Sequence, residues 1–206
     1  MYIPELFEEC DPEEVKRIIN EHPLATMAYP TESGLQAQHV PLIFAGENTL
    51  IGHVAAASPI NSELHNNGSV LAIFVGQESY ISPNWYPTKA EHHRHVPTWN
   101  YQAVHVSGRI TFSRDSKSAL AVVGKLTKHF ESKTNGSSGW KMADAPKEYI
   151  ESMLQEFVPF EITIDRIEAK SKLSQNREKV DFDSVQTQME TRGQAELALR
   201  MQKLKG

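Results

Sequence analysis

The sequence predicts an α+β protein, mainly β, in which about six short strands and a few helices form a closed or partly closed barrel. Three observations lead there. From Leu24 to Val75 the apolar residues recur with period two, in short runs cut by turn sequences. Two helix starts carry their own caps, at Asp11-Pro12 and Asp115-Ser116. A connector running from Ser79 to Tyr101 separates two strand-like runs and is longer than a compact domain usually carries.

The elements follow in order. Met1-Tyr2-Ile3-Pro4 is apolar and expected to dock. Asp11 caps a helix with Pro12 at its first position and Val15, Ile18 and Ile19 on one face, stopped near His22 by Pro23. Strands are predicted over Leu24–Tyr29, Leu35–Phe44 and Thr49–Val54, split by Pro30–Gly34 and Ala45–Asn48. A short helix over Pro59–Asn67 closes at Asn67-Gly68. Val70–Val75 reads as a strand buried on both faces. Ala103–Phe112 turns Val104, Val106, Ile110 and Phe112 inward, with a bulge or bend at Gly108. Helices Ser116–Ser132 and Pro146–Phe157 flank a flexible loop at Thr134–Gly139, and Phe160–Ala169 is the last strand. A C-terminal helix is predicted near Phe182–Leu204, interrupted at Gly193. Residues 1–177 thus form one domain, and 178–206 a helical extension packed on it or on a dimer partner.

The totals narrow the functional classes. A chain of 206 residues is one domain of ordinary size that buries its core without staples. Its single cysteine, Cys10, makes no intrachain disulfide and suits the cytoplasm, and nothing beside it in sequence would activate the thiol. No apolar run approaches the ~20 residues of a membrane span. The net charge of −5 and the scattered basic residues disfavour direct DNA binding.

The connector carries the chemistry. Trp85, Tyr86, Trp99 and Tyr101 offer flat surfaces, Lys89 and Arg94 offer charge, and the prolines stiffen the backbone. Such a set suits a planar, anionic small molecule. The same rings also suit packing, and Trp99 is expected mainly to pack. The polar neighbours Ser82, Asn84, Thr98 and Asn100 are harder to explain as core. His92-His93-Arg94-His95 could approach a metal or a haem, but His-Glu-x-x-His, cysteine pairs and spaced carboxylates are absent, which favours surface histidines. There is no Gly-x-Ser-x-Gly and no Walker or dinucleotide glycine loop, so neither nucleophilic catalysis nor a phosphate loop is indicated.

Several segments together carry a resemblance. Met1-Tyr-Ile-Pro4, Gly52-His53-Val54, Tyr80-Ile-Ser-Pro83 with Trp85-Tyr86, Val96-Pro-Thr-Trp-Asn-Tyr101 and Lys172-Leu-Ser-Gln-Asn-Arg177 resemble the PaiB family. These are bacterial proteins described as FMN-binding negative transcriptional regulators, linked to protease synthesis and sporulation. The resemblance runs in order along nearly the whole chain. It implies a six-stranded, FMN-binding split barrel similar to pyridoxamine 5′-phosphate oxidases and flavin reductases, and a homodimer with flavin at the subunit interface. It further implies that His39, Val40 and Pro41 pass the flavin ring, and that Gly52, His53 and Ser58 approach ring and phosphate. Ser82, Trp85, Lys89, Trp99 and Asn100 would line the pocket, and Lys172, Ser174, Gln175 and Asn176 would close it.

The chain departs from the family where the phosphate is expected. Relatives commonly read Gly-His-x-Ala-Arg-Ala-Asn-Pro, whereas residues 52–59 place Ala56 at the arginine and Ser58 at the asparagine. An arginine fork on a phosphate contributes a few kcal/mol, so another cation, from Lys89 or Arg94, is expected to compensate. The resemblance implies a flavoprotein that regulates transcription negatively; the single cysteine suits a cytoplasmic one, and the charge favours action through a ligand or partner over DNA contact. Two further readings stay open: a flavin-dependent oxidoreductase, since a bound flavin supplies the redox chemistry itself, and a haem-binding or haem-degrading protein using His92, His93 or His95.

Overall fold

The structure, a computed structural model, describes residues 1–204; positions 205 and 206 of the predicted C-terminal extension lie outside it. Seven strands, β1 (Leu24–Thr31), β2 (Gly34–Pro41), β3 (Ile43–Phe44), β4 (Thr49–Ala55), β5 (Gly68–Ile81), β6 (Thr98–Phe112) and β7 (Phe157–Lys172), form one sheet in the order β2-β1-β5-β6-β7-β4-β3. The sequence predicts six because it reads Leu35–Phe44 as continuous. Pro41 is the last residue paired with β1, and its ring nitrogen has no hydrogen to extend the ladder. After Leu42, whose N–H bonds the Pro23 carbonyl at 2.9 Å, the chain pairs with β4. The two edge strands of the sheet are therefore joined by one residue.

The chain divides into two compact units. One comprises residues 23–73 and 106–167. In it, inward residues alternate along the strands: Ala25, Met27 and Tyr29 from β1, Val106, Ile110 and Phe112 from β6, and Phe160 and Ile162 from β7. Helix α4 (Ser116–Thr134) starts at Asp115, whose carboxylate accepts from the Ser118 N–H at 2.9 Å and its hydroxyl at 2.7 Å. It lays Val122 and Leu126 against Ile43 and Ile51.

Gly52 and Gly108 are among the glycines that set close approaches in this unit. A Cβ on Gly52 would lie 2.7 Å from Leu42 Cδ2 and 2.8 Å from Phe160 Cζ. At Gly108 the sequence predicts a bulge or bend, but β6 runs through unbroken. A Cβ there would sit 2.4 Å from the Thr163 carbonyl oxygen, so close strand approach, not backbone irregularity, explains the glycine.

Other expectations shift in the same unit. Helix α2 (Ile60–Glu63) is shorter than predicted, because Asn66 and Asn67 are taken up by the end of β6. The Asn66 side chain accepts from the Phe112 N–H at 2.8 Å, and the Asn67 N–H bonds the Ile110 carbonyl at 2.7 Å. The loop 134–139 carries a 3-10 turn at Gly136–Ser138, and Glu131 accepts from Asn135 and from the Trp140 N–H. Helix α5 (Lys147–Leu154) matches the prediction with shorter ends.

The other unit comprises residues 1–22, 74–105 and those from Glu168 on. Helix α1 (Pro12–Glu21) forms as predicted: Asp11 caps the Glu13 N–H at 2.9 Å, and Ile18 and Ile19 are buried. The N-terminus docks, with the Met1 ammonium 3.1 Å from Glu168. The predicted C-terminal helix is two, α6 (Lys179–Thr191) and α7 (Ala195–Lys203), separated where Gly193 takes φ 76°. Phe182, Val185 and Met189 of α6 and Leu197, Ala198 and Met201 of α7 pack with Ile81, Tyr86 and Leu173. Because β5 and β6 both extend beyond their apolar cores, the long connector shrinks to 82–97. It holds a 3-10 turn at Pro83–Trp85, capped by Ser82, and helix α3 (Lys89–His92). Among the described residues no helix is long and apolar enough to cross a membrane.

Candidate functional site

The structure distributes the predicted site residues over both units. His39, Val40, Pro41, Gly52, His53 and Ser58 belong to the unit of residues 23–73 and 106–167. His39 is exposed on β2 with Nδ1 3.1 Å from the Thr26 hydroxyl, whereas Val40 and Gly52 are buried. Ser58 accepts from Gln38 Nε2 at 2.7 Å, and the same amide donates to the Tyr29 hydroxyl at 3.3 Å. His53 stands edge-on to Phe157, ring centroids 4.8 Å apart, and its buried Nδ1 has no partner among the described residues. The side chains that bond around Ser58, Gln38 and Tyr29, thus carry no positive charge. Gln38, which completes them, has no sequence signal beyond its place on an alternating strand.

The other ten lie in the second unit. Ser82 accepts from the Asn84 N–H at 3.2 Å, and Lys89 donates to the Asn84 side chain. Trp85 is half-buried beside the α6–α7 cluster; its carbonyl accepts from Ser184 at 2.6 Å, and the Arg192 guanidinium lies 4.7 Å over its ring. Arg94 is exposed. Asn100 is fully buried, accepts from the buried Ser174 hydroxyl at 3.0 Å, and faces the Met201 sulfur. Gln175 ties its own turn, donating to the Leu6 and Ser171 carbonyls and accepting from the Leu173 N–H. Asn176 is exposed.

Trp99 corrects an expectation. The sequence assigns it mainly to packing, yet half of it is open to solvent, its ring set edge-on to the exposed Tyr80 at 6.2 Å. Outward-facing positions of β5 and β6 produce this, because strand alternation turns the neighbours Ile81 and Asn100 inward. Beside the pair, Lys172 donates to the Thr98 hydroxyl and the Trp99 carbonyl. Among the described residues no carboxylate pairs with this ammonium; burial, then the charges of Lys170 and Arg177, push its pKa down. An exposed aromatic pair next to a lysine lacking an acidic partner is a donor set suited to a planar anion.

Four histidines, His22, His53, His105 and His129, have pKa values lowered by burial. In the unfolded chain each takes a proton near ~6.5. The unfolded state therefore binds more protons below that pH, and the stability present above it is lost as pH falls. The denaturation midpoint is expected to drop from pH 7.5 to pH 5.5; equal midpoints would contradict burial of these rings in the neutral form.

A family model described as "Putative FMN-binding domain" matches residues 1–166. "Protease synthase and sporulation protein PAI 2" of Bacillus subtilis is 32% identical over 193 residues, covering 92% of this chain and 89% of that protein. The chain belongs to the PaiB family. The solved structures similar to this PaiB-family chain include the conserved hypothetical protein Rv2991 of Mycobacterium tuberculosis. Its TM-score is 0.59 at 12% identity, over 86% of this chain and 94% of that one. Another is a FAD and heme binding protein of Mycobacterium smegmatis, with TM-score 0.58 at 14% identity, over 80% and 73% of the two chains. At these identities the likeness is one of fold, a mainly β arrangement shared with flavin-binding proteins.

Proposed function

We propose that this PaiB-family protein binds FMN in a split-barrel fold and works as a homodimeric, ligand-sensing regulator. The observation that carries the flavin reading is Lys172, a lysine without an acidic partner among the described residues, beside the exposed Trp99–Tyr80 pair. Family membership supports the choice of flavin among planar anions. When bound, FMN would supply redox chemistry of its own, while the protein orients the ring and holds the charge. A second copy would cover Leu24 and Leu35, which stand largely exposed on the β1–β2 hairpin. The regulatory role is supported by the name of the Bacillus relative, and the net charge of −5 favours an indirect route over DNA contact.

Titrating the purified protein with FMN and following flavin fluorescence tests the reading. Saturable quenching is expected, weakened about tenfold by Lys172→Met, which loses a charge-assisted contact. Absence of quenching in the wild type would remove FMN as the ligand. NADH oxidation by the loaded protein above the free-flavin rate would favour an oxidoreductase over a sensor.

A further inference from the structure

Arg177 ends the Lys172–Arg177 segment but is absent from the cofactor set the family resemblance implies. Its guanidinium stacks 4.7 Å over the Tyr86 ring and donates to His95 Nδ1 at 3.4 Å. Nothing acidic pairs with it among the described residues. A guanidinium only donates, so this contact needs the His95 tautomer whose Nδ1 accepts. The Thr88 hydroxyl donates to Asp181 Oδ2 at 2.7 Å, which leaves its oxygen to accept from His95 Nε2–H at 2.8 Å. Asp181, almost fully buried in the first turn of α6, also takes the Thr88 N–H at 3.1 Å. Each step thus fixes the next, from Asp181 through Thr88 and His95 to Arg177. Tyr86 beneath is 2% exposed; burial raises its hydroxyl pKa, and the charge and hydrogen bonding of the Arg177 guanidinium oppose that rise.

The arrangement holds a half-buried guanidinium in one orientation while leaving most of its five N–H donors unspent. Beside it opens a cleft of about 310 Å³ lined by Gln175, Arg177, Lys179, Phe182 and Leu204. We propose that Arg177 is a phosphate-binding residue, serving this cleft and positioned by Tyr86 and His95. It would supply a guanidinium fork for the phosphate. If the phosphate is that of FMN, the proposal rests on the flavin reading above; the same chemistry would take a free phosphomonoester.

The test compares wild type with Arg177→Gln and Arg177→Lys. FMN and riboflavin affinities are read from flavin fluorescence, and melting temperature is followed against inorganic phosphate. The expected result is FMN bound more tightly than riboflavin, with Arg177→Gln weakening FMN about 10- to 100-fold and leaving riboflavin unchanged. Arg177→Lys, which keeps the charge without the fork, should fall between and serves if the glutamine variant does not fold. Phosphate stabilisation that needs Arg177, in a protein indifferent to both flavins, would support the site with a free phosphate ester and remove the flavin reading. FMN affinity unchanged in both variants, or no Arg177-dependent response to FMN or phosphate, would overturn the proposal.

Discussion

Alanine at Gly108 is expected to destabilise the protein by about 3 kcal/mol, the upper range for forcing atoms into a packed interior. The added methyl would stand 2.4 Å from the Thr163 carbonyl oxygen and 2.7 Å from Ile162 Cγ2. Both belong to β7, which is held to β4 through seven registered pairs from Thr49↔Thr163 to Ala55↔Phe157. The obstacle is backbone in a ladder, not the end of a flexible side chain, so relief requires β6 and β7 to separate locally. Urea unfolding gives the measurement: a much lower midpoint with an unchanged slope is expected. A midpoint within a few tenths of a molar of wild type would show that the strands yield cheaply.

The second large effect is expected at Asp181. Its carboxylate satisfies both the N–H and the hydroxyl of Thr88, which is itself 4% exposed, and faces His95 Nε2 at 3.5 Å. Asp181→Ala strands two buried donors, each costing ~1–3 kcal/mol, and removes a favourable charge from the first turn of α6. A loss of about 3 kcal/mol follows, with the 82–97 segment released from α6. Asp181→Asn keeps one acceptor and should lose less. Thermal unfolding together with limited proteolysis at 82–97 reads both consequences. A variant as stable and as resistant as wild type would show that this network does not hold the segment.

These two sites mark where sequence reading stops. Helix α1 and the start of α4 were legible because Asp11 and Asp115 act on amides two or three residues away. The alternation of β1 and β6 was legible for the same local reason, inward apolar residues at every second position. The outer half of β5 was not, because Gln77, Glu78 and Ser79 lack the apolar signal and owe their strand state to neighbours. Thr88 and Asp181 are 93 positions apart. No spacing rule connects them, and Asp181 reads locally as an ordinary first-turn acid. Trp99 was named in the sequence but its exposure was not, since a tryptophan's payload fits core and surface equally. Lys172 is distinctive only in the structure, where no carboxylate among the described residues pairs with it.

The single-residue splice at Leu42 has a consequence for motion. Edge strands ordinarily fray on their own, each end of a sheet loosening without news reaching the other. In this chain Pro41 closes the β1–β2 pairing and Ile43 opens the β3–β4 pairing. A slip of one residue at either edge would drag the other out of phase and turn every side chain of both strands to the wrong face. The two margins therefore share one register, and loosening at one edge is expected to be felt at the other.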